Sequence, residues 1–305
     1  MKERAILAFH VGEFGWEILR FAPHVLWTKR EKYENKVKLI VCSRWDREDL
    51  YGDDADIFVP FSIDESGLKQ DCFKLTGFEK EYKEWMMKLS EKYCQEYDII
   101  EEIYPRIDKR AYTQRNQYPQ NEMDYDFQPR EGNEFWFKYL AFGNDDERLR
   151  PLIALAPRFR KDTPRNWPYW QEFYDLLKPL EDKFEFVICG KEPDVIPDRK
   201  DRFSRLYHIE FSDPDDMDLE ASLVGITIIT LEHCILTVGS QSGIPNLSNI
   251  LGTPTLQWGN EKHEHTKTYN VKNTETIYLD DPKFNIAPDK VYQEMINFLN
   301  KKGYL

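Results

Sequence analysis

The 305 residues, 41% hydrophobic and 32% charged, suffice for one large or two medium domains with real cores and exclude a disordered chain. A formal net charge of −13 argues against a protein that grips duplex nucleic acid, because phosphate contacts call for a basic surface. No apolar run is long enough to span a bilayer, and the five cysteines form no CxxC pair; their odd number and irregular spacing fit reduced thiols and a cytoplasmic protein.

The first apolar segment, AILAFHV (5–11), follows a short basic start and is soon interrupted by His10, Gly12 and Glu13. It reads as a strand rather than as a signal peptide. KLIVCS (38–43) and DIFVPF (56–61) are further β-branched runs, and Asp53-Asp54-Ala55-Asp56 between them reads as a turn. Continuous apolar runs bounded by Gly, Ser or charge suit buried parallel strands. The pattern then fades. Residues 80–104, KEYKEWMMKLSEKYCQEYDIIEEIY, read as helix, and 115–135 as an extended polar loop.

The strand pattern restarts at LIALAPR (152–158), followed by FEFVICG (184–190), CILTVGS (234–240) and TPTLQWG (253–259). Between the first two lies WPYWQEFYDLLKPL (167–180), where Trp170, Phe173, Tyr174, Leu177 and Leu180 share a helical face. Asn166 is its expected N-cap, with Pro168 in the first turn. ASLVGITIITLEHC (221–234) fits a strand by β-branching, yet Leu219, Leu223 and Ile226 have helical spacing and the following CILTVGS makes the better strand; helix is preferred. The last helix is 288–302, with Val291, Met295, Phe298 and Leu299 on one stripe. Strands alternating with helices, twice over, predict an α/β protein of two doubly wound Rossmann-like lobes, 1–147 and 148–305, with a linker at FGNDDERLRP.

Three segments carry candidate chemistry. In HVGEFGWEILRFAPHV (10–25) a strand leads into a turn bracketed by Gly12 and Gly15, and a helix follows from about Trp16. Ligands of open α/β sheets bind at the carboxyl ends of strands, so His10 and this loop are expected at the acceptor. Glu13 or Glu17 could take the proton from an attacking hydroxyl. The competing reading makes Glu17 a helix-dipole partner and Glu13 a solvated loop residue.

In APRFRKDTPRNWPYW (156–170), Arg158, Arg160, Lys161 and Arg165 cluster ahead of a helix N-terminus, a fitting place for a diphosphate; a solvated basic loop is the plainer alternative. In TVGSQSGIPNLSNILGTPTLQWG (237–259), Ser240, Gln241, Ser242 and Gly243 offer hydroxyls, an amide and backbone N–H groups between a strand and a short helix. A serine hydrolase is discounted because SQSGI is out of register with GxSxG. His263-Glu264-His265 is a weak metal signal, so no metal is expected.

In this order the three segments resemble the heptosyltransferase-like family of GT-B enzymes, glycosyltransferase family 9. The likeness lies in Arg165-Asn166-Trp167-Pro168, a basic residue before Trp-Pro and a helix, and in Gln241-Ser242-Gly243-Ile244-Pro245-Asn246 leading to Gly252-Thr253-Pro254. The resemblance implies that Arg165, Ser242 and Gly243 hold the donor diphosphate, and that Asn246 stands near the donor sugar. The family's catalytic Asp follows a glycine and precedes a proline by six residues. Matching Pro23 puts Glu17 there, and matching Gly12 puts Glu13 there; Glu13 is preferred as the loop residue. Gln241 stands for the family's Asp, Asn246 for its His, and a Glu for its catalytic Asp. Residues 62–150 resemble nothing in the family.

The resemblance implies a two-lobed fold with a cleft and a metal-independent, inverting transfer of sugar from a nucleotide-sugar donor. No cofactor beyond that co-substrate is expected. The acceptor is a glycan by default, or a modified nucleic-acid base, which the net charge disfavours. The rivals are a sugar-nucleotide epimerase of the same fold and a non-catalytic nucleotide- or sugar-binding protein. The last helix is expected to pack back on the N-terminal lobe, as it often does in GT-B proteins.

Overall fold

The structure, a computed structural model, describes residues 2–10, 17–61, 79–103, 150–158, 166–189, 223–260 and 275–305. The chain divides into two compact units, Met1–Pro129 and Arg130–Leu305. Both this boundary and the expected one at 147/148 fall outside the described residues.

The first unit holds a parallel sheet of β1 (Arg4–Phe9), β2 (Lys38–Arg44), β3 (Ile57–Phe61) and β4 (Asp98–Ile103), in the order β3-β2-β1-β4. The apolar runs read as strands are strands, although β1 stops at Phe9 and only the His10 amide, donating to Cys42 O, extends the ladder. Strand alternation sends Ala5, Leu7, Phe9, Ile40 and Cys42 to one face, where they meet Met86 and Tyr93 of α2 (Glu79–Glu96). The expected helix over 80–104 therefore needs correction. It ends at Glu96, and Asp98–Ile103 form β4, because the isoleucines of DIIEEI suit a strand and Asp98 N donates to Glu3 O beside β1.

After β1 the chain re-enters at Glu17 in a wide helical turn (Glu17–Phe21), continues as α1 (Ala22–Trp27), and widens again at Thr28–Lys32. Ile18, Phe21, Ala22, Val25 and Leu26 are buried along it. The acidic segment before β3 is the expected turn, and two of its carboxylates are paired: Asp54 with Arg30, and Asp56 with Lys29 and Lys38.

The second unit is a parallel sheet of β5 (Leu152–Ala156), β6 (Glu185–Ile188), β7 (Cys234–Ser240), β8 (Thr255–Gly259) and β9 (Thr276–Asp280), ordered β6-β5-β7-β8-β9. Its helices are α3 (Trp170–Leu177), α4 (Leu223–Glu232), α5 (Gly243–Ile250) and α6 (Pro288–Lys302). The ambiguous segment before β7 is thus helical. Asn166 does not cap α3, whose N-cap is Tyr169. The Trp167 indole donates to Ile286 O at 2.8 Å and sits 4.5 Å from the Trp258 ring, which commits Trp167–Tyr169 to a turn before the helix can start.

The two faces of this sheet differ. Ile153, Leu155, Leu236, Val238, Leu256 and Trp258 join the apolar faces of α3 and α6 in a core rich in aromatic rings. The stripe Val291, Met295, Phe298 and Leu299 is buried in that core. Gly303 ends α6 in the left-handed conformation (φ 77°) that a glycine adopts without strain. Beneath α5, on the opposite face, lie hydroxyls and amides. Thr237 and Ser248 share a hydrogen bond of 2.6 Å, Asn249 donates to Thr276, and Gln257 donates to Thr255 at 3.1 Å.

Candidate active site

In each described sheet the chain reverses its direction of travel beside the first strand of the unit. In the first unit it moves outward from β1 through β2 to β3 and then returns to β4 on the other side. In the second it goes from β5 to β6 and then back to β7. Such reversals open a crevice at the carboxyl ends of the two diverging strands. The segments singled out from the sequence stand at these two places.

At the second unit's reversal, Arg158 lies just beyond β5 and donates through Nη1 to Gln241 O, just beyond β7, at 3.2 Å. The backbones approach closely because residue 239 is glycine. A Cβ there would stand 2.8 Å from Ala156 O, 2.9 Å from Ala156 Cβ and 3.0 Å from Pro245 Cγ. Gly259 likewise makes room for Gln241, whose Cβ and Oε1 would each lie 2.8 Å from an added methyl. Gln241 N is tied to Trp258 O at 2.8 Å.

Ser242 is the N-cap of α5 in extended conformation and makes no side-chain capping bond, so the first turn of the helix carries its usual surplus of backbone donors. Ser240, fully buried, is the register partner of Trp258, and among the described residues neither Ser240 Oγ nor Trp258 Nε1 has a hydrogen-bond partner. Asn246 sits one turn into α5 and is half-buried, its backbone N donating to Ser242 O at 3.4 Å. Structure thus brings together Arg158, Ser240, Gln241, Ser242 and Gly243. Arg160 and Arg165 lie outside the described residues.

At the first unit's β1 tip the groups are charged and enclosed. Glu17 is completely buried. Its Oε1 accepts from Ser43 Oγ and from Tyr51 OH, both at 2.7 Å, and its Oε2 lies 3.3 Å from His10 Nδ1 and 3.7 Å from Arg47 Nε. Burial alone would raise this carboxyl; His10, Arg47 and the Ser43 hydroxyl outweigh it and lower it to about 2. Burial and the neighbouring carboxylate together push the Tyr51 hydroxyl far upward, so it stays a donor. Glu17 is thus a buried carboxylate held by Ser43 and Tyr51 on one oxygen and facing His10 and Arg47 with the other. Glu13, Gly12 and Gly15 lie outside the described residues.

Ser43, Arg47 and Tyr51 were not apparent as site residues from sequence. The signal was present in SRWDREDLY (43–51), where polar groups follow a buried strand at its carboxyl end. Among the described residues no group of three or more His, Cys, Asp or Glu could hold a metal ion; His263 and His265 lie outside them.

No protein-family model and no curated protein sequence matches the chain. Solved structures do. A glycosyl transferase family 9 protein from Veillonella parvula aligns over 98% of this chain and 97% of its own, with a TM-score of 0.55 at 10% identity. The E. coli ADP-heptose lps heptosyltransferase II aligns over 99% and 100%, at 0.54 and 13%. An E. coli heptosyltransferase with ADP-2-deoxy-2-fluoro heptose aligns over 96% and 99%, at 0.51 and 13%. The chain has the two-sheet GT-B fold of these family 9 glycosyltransferases, end to end.

Proposed function

We propose that the chain is an inverting, metal-independent glycosyltransferase that draws its sugar from a nucleotide-sugar donor. The observation that carries this reading is the construction at the β5 and β7 ends. A strand-tip arginine spans the reversal point, two glycines bring the backbones close, and a helix start stands behind two serines. These are the parts a diphosphate needs: a fixed cation, hydroxyls and backbone N–H groups aimed at one place. Arg160 and Arg165 add positive charge from the loop that follows Arg158, and Asn246 serves the donor sugar.

As the bond to the diphosphate breaks, negative charge grows on the departing oxygen. Arg158 and the first turn of α5 meet it without a metal ion. The proton of the attacking hydroxyl is taken at the β1 tip, where Glu13 is the carboxylate of the loop. The acceptor is a glycan hydroxyl, with a modified nucleic-acid base as the lesser candidate. The E. coli structures carry ADP or an ADP-heptose analogue, so an ADP-sugar is the first donor to assay. Among the described residues no helix is long and apolar enough to cross a membrane, and the four described cysteines are free, which fits a cytoplasmic setting.

The test is titration calorimetry with ADP and turnover of ADP-heptose, with UDP-sugars as the second set, on wild type, Arg158→Ala and Arg165→Ala. Binding that both substitutions weaken, together with sugar transfer, supports the reading. Sugar released or isomerised without any acceptor makes the protein an epimerase. Nucleotide binding with no turnover of any donor makes it a binding protein.

A further inference from the structure

We propose that Gln241 serves the donor site as a positioning residue: its side chain is seated on β8, and its main chain sets where Arg158 points. This deepens the glycosyl-transfer reading and rests on it. By sequence Gln241 offers an amide to the ligand. In the fold the residue is only 5% exposed, its Oε1 is buried, and its side chain lies against Gly259, the last residue of β8.

Residue 241 is registered against β8 twice. Its N donates to Trp258 O at 2.8 Å, and its side chain takes up the notch left by Gly259, one residue on. A Cβ built on Gly259 would stand 2.8 Å from Gln241 Cβ, 2.8 Å from Gln241 Oε1 and 3.1 Å from the Tyr278 hydroxyl of β9. The Oε1 is the far end of a flexible chain and could swing away. The Cβ cannot move without carrying the backbone of residue 241 with it. The base of this seat is firm, because the Trp258 ring is packed 4.5 Å from Trp167 and 5.8 Å from Trp170.

That same backbone holds the cation. Gln241 O accepts from Arg158 Nη1 at 3.2 Å, across the gap from β7 to β5. A guanidinium is a rigid plane of donors, so fixing one terminal nitrogen restricts the whole group. An arginine oriented in advance loses less freedom when an anion arrives. The anchor is a carbonyl, which orients the guanidinium without cancelling its charge as a carboxylate would. The link runs across three strands, from Gly259 on β8 through Gln241 to Arg158, and the glycine at its start acts on a cation it does not touch.

Two measurements decide the matter. The first needs no nucleotide. Nitrogen-15 NMR of arginine-labelled protein, with the Arg158 signal identified by its loss in Arg158→Ala, should show that signal displaced in Gly259→Ala. Gln241→Gly adds no bulk, so it reads the same link should Gly259→Ala fail to fold, and it too should displace the signal. An Arg158 signal left in place by either folded variant overturns the proposal. The second is calorimetry with ADP. Gly259→Ala should weaken binding roughly 10-fold in the wild-type background and about 2-fold or less in Arg158→Ala, because its effect passes through that arginine. A general structural loss would weaken binding equally in both. Gln241→Gly should weaken binding on its own, yet recover affinity when added to Gly259→Ala, since it removes the Cβ that the new methyl meets. Losses that simply add would mean that the Gln241 amide touches the donor directly, and the positioning role would fall. Absence of ADP binding in wild type is the separate failure of the glycosyl-transfer reading, and the arginine signal still decides whether Gly259 and Gln241 place Arg158.

Discussion

At the tip of β1, four side chains from two strands and their sequels are arranged around one ionised carboxylate, and every oxygen of Glu17 faces a donor or a cation. At the tip of β7 the buried groups are neutral, and Ser240 Oγ and Trp258 Nε1 have no partner among the described residues. Buried polar atoms are almost always paired, so the atoms at the second tip stand out. The first tip encloses a charge and fixes one of its oxygens with two hydroxyl donors. The second has donors and acceptors to offer to something that arrives.

The largest effect should come from breaking the enclosed cluster. Glu17→Gln leaves Arg47 buried opposite a neutral amide and should cost about 3 kcal/mol in a urea titration near neutral pH. The pH dependence has a definite sign. The folded carboxyl is lowered to about 2 from an ordinary 4.5, so the stability it confers is present above the ordinary value. That stability drains away as the pH falls from there toward about 2. The gap between wild type and Glu17→Gln should close over that interval, and a gap independent of pH would mean the carboxylate is not ionised in the native protein.

Gly239→Ala comes next. The added methyl meets backbone and Ala156, which cannot swing aside, so a loss of about 1–3 kcal/mol is expected in the same titration. Arg158→Ala should leave stability nearly unchanged and weaken ADP binding roughly 10- to 100-fold, the worth of a charged hydrogen bond, as read by calorimetry. The smallest effect is the most telling about the open tip. Ser240→Ala removes a buried hydroxyl without a partner, so the free protein should melt at the same temperature or slightly higher, by up to about 1 kcal/mol in stability. Its ADP affinity should fall. A destabilised Ser240→Ala would show that the hydroxyl is already satisfied.

Much of this was legible in the residues. Buried parallel strands announce themselves as apolar runs such as LIALA and KLIVC, because both faces are covered. The stripe of α6 and the aromatic face of α3 were equally plain. What escaped was decided by tertiary partners. β4 shares enough charge with α2 to look like its continuation, and only pairing with β1 separates the two. The helix start at Trp170 depends on where the Trp167 indole finds its acceptor, 119 residues further along. At the site, the positions of Arg158, Ser240 and Gln241 followed from reading strand ends. The role of Glu17 did not, because nothing local tells that Ser43, Arg47 and Tyr51 will close around it.

The layer of hydroxyls and amides beneath α5 has a consequence for aim. Leucines and valines would hold a helix to a sheet as firmly, yet apolar contacts have little angular preference, and a short helix resting on them could rotate about its axis at small cost. Thr237 to Ser248, and Asn249 to Thr276 and Thr255, are directional bonds that weaken if α5 turns by a fraction of a residue. They act as a compass bearing for the two-residue turn ahead of them. Replacing that layer by aliphatic side chains should yield a protein that folds as well and points less accurately.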